Sequence, residues 1–537
     1  DLYNRGIRVI YYSLFSLMRT RLYARVKNVT GGENTGLFKN FITQIGRVVR
    51  KLIPYRSIEQ VEDIQTSLST DMTNALDRWY QLYRNEAPWL EPGKVKSLNL
   101  PALVSSEIAR QVTLEMKWSI TGKNEKGETK DNAGKDIMNP RAEYLRAEFE
   151  KCVDVLRQKL EQGCAAGGMI VKPYPNIADG HIYFDWSMDW SVYPIAFDDD
   201  GNLCDVVIPD VFTEGKTIYT RLERHTVEGS NVRITHRAFM STVPESIGRE
   251  IPLTMVDRWA SLTPEATVTD TDGVLFGWYK VAAANNVDID SPMGASVFCK
   301  AEEVIREADQ QWSRLLWEFE GSELAIDVDP TALRPKRNTD GLMETPKLNE
   351  RLFRQVDIDK GDRDLYEVFS PNIRDANLVN GLNQILYRVE DLCGLSRGTI
   401  ADVNDTERTA TELKINKQRS YATVADNQKA LEACLRNVIR AMDKYATVYG
   451  LAPEGDYDVS FDWDDSILTD RDQQNQEMLL LLNAGIISKV EYRMWYYGET
   501  KAQAQAAIEE VRQEQAESMM SMLPEINQAG PSPPAAE

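Results

Sequence analysis

Residues 394–450 read GLSRGTIADVNDTERTATELKINKQRSYATVADNQKALEACLRNVIRAMDKYATVYG, a short polar loop feeding what the composition predicts to be one very long helix. No glycine or proline stands between Gly398 and Gly450, and from Thr409 onward good helix formers dominate. Thr409 and Glu412 stand in the S/T-x-x-E relation of a capping box, in which hydroxyl and carboxylate each satisfy an otherwise unpaired backbone N–H. Gly450 suits the left-handed conformation that ends helices, and Pro453 lies just beyond it. About forty residues at about 1.5 Å each make a rod of roughly 60 Å, several times the common length. Such a rod needs a large body around it.

Upstream of the rod, the same kind of start signal occurs twice. Ser291-Pro292, with Ser as cap and Pro at the first helical position, predicts a helix over 291–320. Ile305, Ala308, Trp312, Leu315 and Phe319 form its apolar stripe, and Gly321 closes it, giving a rod of roughly 44 Å. Ser370-Pro371 predicts a second helix with the stripe Leu378, Leu382, Ile385, Val389 and Leu392, ending at Gly394. Between them, 321–370 reads as a small β-rich insertion, with strands over 323–328 and 364–369 and a basic, Pro-containing loop at 334–337. Two long helices bracketing a β insertion imply an antiparallel pair with a small domain at its far end.

Downstream, Tyr457, Val459, Phe461 and Trp463 alternate with Asp458, Ser460, Asp462 and Asp464, a strand with one acidic face. Thr469 is expected to cap a helix over 470–484 stopped at Gly485, and Ser488 with Glu491 forms another capping box. A last helix runs from Thr500 to about Glu517, and the Pro-, Ala- and Ser-rich residues after Leu523 are expected to be disordered. Nearer the start, helices are expected over 58–83, 101–116 and 141–162, the last stopping at Gly163, with a mobile polar loop over 121–135. From Gly167 the period changes to two, predicting strands over 169–174, 182–186, 192–197, 203–208, 217–227 and 232–239. Asp199-Asp200-Gly201 and Glu228-Gly229-Ser230 supply turn chemistry between them. The expected class is α+β, an antiparallel sheet beside helices.

The chain has 537 residues, enough for several domains, with an ordinary 42% hydrophobic and 27% charged content. Its six cysteines form no C-x-x-C pair, which predicts reduced thiols serving as small apolar residues. The apolar run 9–18 is too short to span a bilayer, so synthesis in the cytoplasm is expected. Residue 1 is Asp rather than Met, so the numbering is expected to start inside the gene product or after processing. Net charge is −21, but residues 1–60 hold eleven Lys or Arg against three acids, +8 locally and −29 for the remainder. The basic amphipathic stretch 37–53 could touch an acidic neighbour or a membrane surface, and the plainer reading packs it on its own or the next subunit.

Searching for chemistry gives no G-x-x-x-x-G-K-[ST] phosphate loop and no H-E-x-x-H, and the chain is expected to lack a G-x-S-x-G serine elbow. His181, His225 and His236 lack metal-ligand spacing and read as structural. One rival reading is a metal-dependent nucleic-acid hydrolase built on Asp198, Asp199 and Asp200 or on Asp462, Asp464 and Asp465, although a turn and a helix start explain both groups. Another is a DNA-binding helical module over 470–515, but eight acids against five bases there oppose phosphate binding. No cofactor is expected.

The order of parts resembles a bacteriophage portal protein, the head-to-tail connector, most like those of long-tailed phages of Gram-positive bacteria. The matching residues are the helix, insertion and helix of 291–393, the loop 394–408, Thr409-Ala410-Thr411-Glu412, and the stretch 462–472 leading into Val490-Glu491-Tyr492-Arg493. The resemblance implies a ring, typically of about twelve subunits, at one capsid vertex with DNA passing along its axis. It implies a basic N-terminal arm (1–60), an α+β wing (61–290), stem helices (291–320 and 371–393), a clip (321–370), a tunnel loop (394–408), a long wing helix and strand (409–465), a helical crown (466–520) and a disordered tail (521–537). The tunnel loop would present Arg397, Thr399, Asn404, Glu407 and Arg408 to DNA. Arg334, Lys336, Arg337 and Asn338 in the clip would meet partners, and strands such as 323–328 would pair with a neighbouring subunit. Implied partners are viral double-stranded DNA, the packaging terminase ATPase, major capsid and scaffolding proteins, and a head-completion adaptor. No membrane partner and no enzymatic activity are implied, so force for DNA movement comes from the separate ATPase.

Overall fold

The computed structural model describes residues 55–62, 66–124, 126–130, 136–177, 179–243, 246–328, 336–337, 343–344, 353–355, 366–402, 410–463, 471–499 and 501–522. In chain order the helices are α1 (Tyr55–Glu62), α2 (Thr70–Tyr83), α3 (Leu100–Thr113), α4 (Pro140–Ala166), α5 (Glu302–Gly321), α6 (Asp375–Cys393), α7 (Ala410–Val448), α8 (Arg471–Asn483), α9 (Lys489–Tyr497) and α10 (Lys501–Met522). The first ten strands are β1 (Met116–Gly122), β2 (Gly168–Asn176), β3 (His181–Met188), β4 (Tyr193–Phe197), β5 (Leu203–Glu214), β6 (Thr217–Glu228), β7 (Asn231–Ser241), β8 (Arg249–Ile251), β9 (Glu265–Val268) and β10 (Gly277–Lys280). They are followed by β11 (Ala325–Val328), β12 (Lys336–Arg337), β13 (Met343–Glu344), β14 (Phe353–Gln355), β15 (Tyr366–Phe369) and β16 (Tyr457–Trp463). The class is α+β, and the chain divides into a body, Asp1–Trp463, and a smaller unit, Asp464–Glu537.

Helix α7 is the long helix expected from its composition, 39 residues or about 58 Å. Its cap lies outside the described residues, but Gly450 has the left-handed conformation (φ 62°) and Leu451 donates back to the Ala446 carbonyl. One side of α7 places Leu431, Cys434, Leu435, Val438, Ile439 and Met442, none more than 1% exposed, in a core shared with Val112 of α3, Leu156 of α4 and Met169 and Val171 of β2. Ala441 and Tyr445 face another way and pack with Val232 and Ile234 of β7. The helix therefore joins the main core to the largest sheet, and each fully buried aliphatic side chain is worth about 1.5–3 kcal/mol.

Close approach to β10 depends on Gly277. A Cβ there would lie 2.3 Å from the Cys434 carbonyl oxygen and 2.6 Å from Val438 Cγ2. Polar contacts fix the register along the helix. The Tyr279 hydroxyl donates to Asn427 Oδ1 at 2.7 Å, and Ser420 Oγ donates to Gln111 Oε1 at 2.8 Å. At the C-terminal end Arg141, 1% exposed, donates to Thr447 Oγ1 at 2.9 Å and faces Asp443 at 3.5 Å, where a cation also complements the helix dipole.

The six strands expected between 169 and 239 are present but belong to two antiparallel sheets rather than one. The order β10-β2-β3 makes a three-stranded sheet, and β4-β5-β6-β7-β8, with β9 alongside β7, makes a six-stranded one. The acidic-faced strand β16 also forms, and it pairs antiparallel with β1, Phe461 opposite Trp118. Strand β1 corrects the expectation of a helix to 116 followed by a loop from 121. Its inward side chains Trp118 and Ile120 complete a core with Phe149 and with Phe461, the latter more than 300 positions away.

Several helix starts differ from expectation for local reasons. The helix expected over 58–83 is two, α2 beginning where Ser69 Oγ accepts from the Met72 N–H. Helix α4 continues through Gly163 to end at Gly167 (φ 91°). Helix α5 begins at Glu302 rather than at Ser291-Pro292, so it has 20 residues. Around 294 the chain instead packs backbone to backbone on the end of α4, a would-be Cβ on Gly294 falling 2.0 Å from the Gly167 carbonyl oxygen. Helix α6 likewise starts at Asp375, after Arg374 has turned back onto Glu318.

In the β insertion, β11 lies between β14 (parallel) and β15 (antiparallel), and β12 pairs with β13. Both edges of β11 are filled within one chain, which corrects the expectation that this strand pairs with a neighbouring copy. In the smaller unit, Ser488 and Glu491 form the expected capping box, Gly485 and Gly498 adopt positive φ, and the Tyr492 hydroxyl donates to Asn475 Oδ1 at 2.6 Å. The expected tail after 523 and the basic stretch 37–53 lie outside the described residues.

Gly277→Ala is expected to lower stability by about 2–3 kcal/mol, since backbone must move to admit the methyl. Gly93→Ala meets no atom within 4 Å, so at φ 81° it should cost only about 1 kcal/mol. Paired thermal-unfolding midpoints check the contrast.

Candidate functional site

Helices α5 and α6 pack side by side through Ile305, Ala308 and Leu315 on one and Leu382, Leu386, Val389 and Cys393 on the other. Of the stripe expected on α5, Phe319 is 43% exposed, and so is the neighbouring Trp317 at 67%. Helix α5 is tied to the body by two carboxylates. Glu302 accepts from Trp79 Nε1 at 2.6 Å, and Asp309, 2% exposed, accepts from the Leu98 N–H at 2.8 Å and Trp89 Nε1 at 2.9 Å. Burial raises the Asp309 pKa against those two bonds. Toward the insertion, the Arg374 guanidinium forks onto Glu318, with distances of 3.0 and 2.8 Å.

At the other end of α6 the chain reverses sharply. Gly394 adopts φ 72°, and its N–H and that of Leu395 both return to the Glu390 carbonyl. There is no room for a side chain at 394, because a Cβ would meet Thr423 Oγ1 of α7 at 2.4 Å. Residues 395–402 then fold onto the last turns of α6 through Tyr387 and the two acids three and four residues after it, Glu390 and Asp391. Glu390, fully buried, accepts the backbone N–H groups of Gly398 (3.0 Å), Ile400 and Ala401 (2.9 Å). Asp391 holds the Arg397 guanidinium by two bonds of 3.2 and 2.8 Å, and the Tyr387 hydroxyl donates to the Asp402 carbonyl at 2.6 Å. Leu395 and Ala401 are buried beneath this turn. Backbone N–H groups converging on a carboxylate form an anion nest, and such charge-assisted bonds contribute roughly 1.5–3 kcal/mol each when protected from water.

Two of the expected DNA-facing residues are therefore placed. Arg397 is half exposed but engaged by Asp391, and the Thr399 hydroxyl donates to the Ser396 carbonyl at 2.6 Å. Asn404, Glu407 and Arg408 lie outside the described residues, as do Arg334 and Asn338. Lys336 and Arg337 form β12. Sequence reading missed Tyr387, Glu390 and Asp391. Their one legible signal is two acids just before a helix-ending glycine and a polar loop.

The expectation of a chain without a serine-elbow signature needs correction, for Gly394-Leu395-Ser396-Arg397-Gly398 fits G-x-S-x-G. That motif acts at a strand-to-helix turn, whereas here helix α6 precedes it. None of the three histidines lies in the elements around Ser396. The Asp198 carboxylate accepts from the N–H groups of Asp200 and Asn202 and from Asn202 Nδ2, a turn device whose bonds hold its pKa below the usual range. Among the described residues, no group of three or more His, Cys, Asp or Glu is placed to hold a metal ion. No described helix is long and apolar enough to cross a membrane. The six cysteines are free thiols, four of them buried, as expected.

A buried charge network joins β2 and β6. Glu223 of β6 accepts from Lys172 Nζ at 2.7 Å and from His225 Nε2 at 2.8 Å and meets Arg221 at 3.1 Å. Burial alone would raise its pKa, but Lys172, Arg221 and His225 outweigh it and hold the carboxylate well below the usual range. His236 sits against Arg221 at 3.3 Å. Burial, helped by Arg221 and Lys172 against the pull of Glu223, lowers its pKa to about 4. This is a structural network within the sheets.

The described body thus holds a helix pair bracketing a β insertion, a tight polar turn and a single long helix buried on several sides. A family model described as "Phage portal protein, SPP1 Gp6-like" matches residues 97–520, and the chain belongs to that family. It is a virion protein of the capsid vertex, a head–tail connector component. Among solved structures, one described as "Neck of native GTA particle computed with C12 symmetry" aligns over 82% of this chain and 98% of its own, at 10% identity and a TM-score of 0.33. No curated protein sequence matches.

The His236 pKa fixes a sign. An unfolded chain binds a proton near pH 6.5 while the native state resists until about 4, so stability is full above 6.5 and is lost as pH falls through that window. The loss should reach about 3 kcal/mol. Unfolding midpoints measured from pH 7 to 4 should fall less steeply in His236→Gln than in the unaltered protein.

Proposed function

We propose that this chain forms the ring-shaped channel at one capsid vertex through which viral DNA is packaged and ejected. The observation that carries the proposal is the family match across 97–520, which spans the helix pair, insertion, turn and long helix together. About twelve subunits would close the ring, as the family implies. In that arrangement 61–290 is the wing and 1–60 its basic arm, 291–320 and 371–393 are the stem, and 321–370 is the clip. Residues 394–408 are the tunnel loop, 409–465 the wing's long helix and strand, 466–520 the crown and 521–537 the tail. The clip surface around Arg334, Lys336, Arg337 and Asn338 docks the packaging ATPase and later the head-completion protein, while capsid and scaffolding proteins surround the wing.

For a conduit, a net charge of −21 per chain is useful. Each phosphate neutralised by a basic side chain adds salt-dependent affinity, so a ring of uncompensated guanidinium groups would pin the duplex. Asp391 cancels the charge of Arg397 in every copy, which supports sliding rather than gripping. The loop residues Arg397, Thr399, Asn404, Glu407 and Arg408 make the closest approach to DNA, and ATP hydrolysis belongs to a separate subunit. Arg397→Ala combined with Arg408→Ala should change packaging or retention of DNA while rings remain intact. Unchanged DNA content in particles carrying the double variant would contradict the assignment of the loop.

A further inference from the structure

We propose that Glu390, with Tyr387 and Asp391, is a positioning residue that sets the DNA-facing turn of each subunit, acting from α6 without touching DNA itself. The proposal rests on the channel reading above and adds to it the residue on which the loop's placement depends. Glu390 is fully buried, yet its carboxylate spends all its visible bonds on backbone outside its own helix, the N–H groups of Gly398, Ile400 and Ala401. A side chain needed only for packing would be apolar at this site, because an ionised carboxylate is costly to bury unless its partners are built for it. Here they are built. Gly398, whose N–H reaches the carboxylate, takes φ 90°, and Gly394 takes φ 72° where the chain turns back over the helix end.

The flanking contacts act on the same segment. Tyr387 holds the Asp402 carbonyl, three residues before Glu390 on the helix but one residue beyond Ala401 on the turn. Asp391 holds Arg397 by a two-point fork, which fixes the direction of the guanidinium as well as its charge. Together they pin residues 397–402 at several points, so loosening Glu390 releases Arg397 and Thr399 as a group. Glutamine cannot replace it, since its amide offers donors where at least one backbone N–H needs an acceptor.

The test uses the full-length protein as assembled rings and in particles. In Glu390→Gln, amide hydrogen exchange at Gly398, Ile400 and Ala401 should quicken by roughly tenfold or more, the factor for losing about one good hydrogen bond. Exchange elsewhere should stay unchanged, rings should form, and the DNA retained per particle should fall. Tyr387→Phe, which removes one hydroxyl at the edge of the turn, should show the same pattern more weakly, and it carries the test if Glu390→Gln does not assemble. Unchanged exchange at these amides would overturn the proposal, and so would faster exchange with normal DNA retention. Failure of the unaltered ring to hold DNA would instead remove the channel reading, while the exchange comparison would still decide whether Glu390 fixes the turn.

Discussion

Everything in the body of this subunit leans on the contact between α7 and β10, where a glycine lets a strand touch a helix backbone. Gly277 admits the Cys434 carbonyl and Val438 at distances no side chain could allow. That approach lets one face of the helix complete the main core while Ala441 and Tyr445 reach β7 of the large sheet. Asn427 and Arg141 then fix where along its length the helix sits. A long helix packed only at its surface would be a strut, whereas this one is an interior beam.

The turn after α6 is placed by the same logic of close approach. Gly394 passes within van der Waals reach of Thr423 on the beam, so the end of α6 and the first half of α7 are locked together. The polar turn grows from that lock and is tied down by Glu390, Asp391 and Tyr387. In the proposed ring, each subunit would thus present its DNA-facing segment from a rigid base. Charge is handled in the same place, since Arg397 in the described turn is already paired with Asp391.

Much of this was legible from local chemistry. The long helix showed itself by the absence of Gly and Pro up to Gly450, the capping box by Ser488 and Glu491, and the sheet strands by alternation from Met169 to Phe239. What the sequence hid was set by distant partners. Strand β1 looked like a helix end and a loop because Trp118 and Ile120 gain their purpose only from Phe149 and from β16, far along the chain. Ser291-Pro292 carries a sound helix signal, yet the chain there packs Gly294 on Gly167, and the helix begins only at Glu302. Glu390 could not be singled out because its partners are backbone N–H groups, which every residue but proline offers. The residues proposed to meet DNA were named from family resemblance, and of these Arg397 and Thr399 are the two whose surroundings the structure describes.

Images of the purified full-length protein test the ring and its channel most directly. Closed rings with a central hole, the 394–402 turn lining its wall, are the expected result. A protein that stays monomeric at high concentration, or a ring whose hole is lined by other segments, would contradict it.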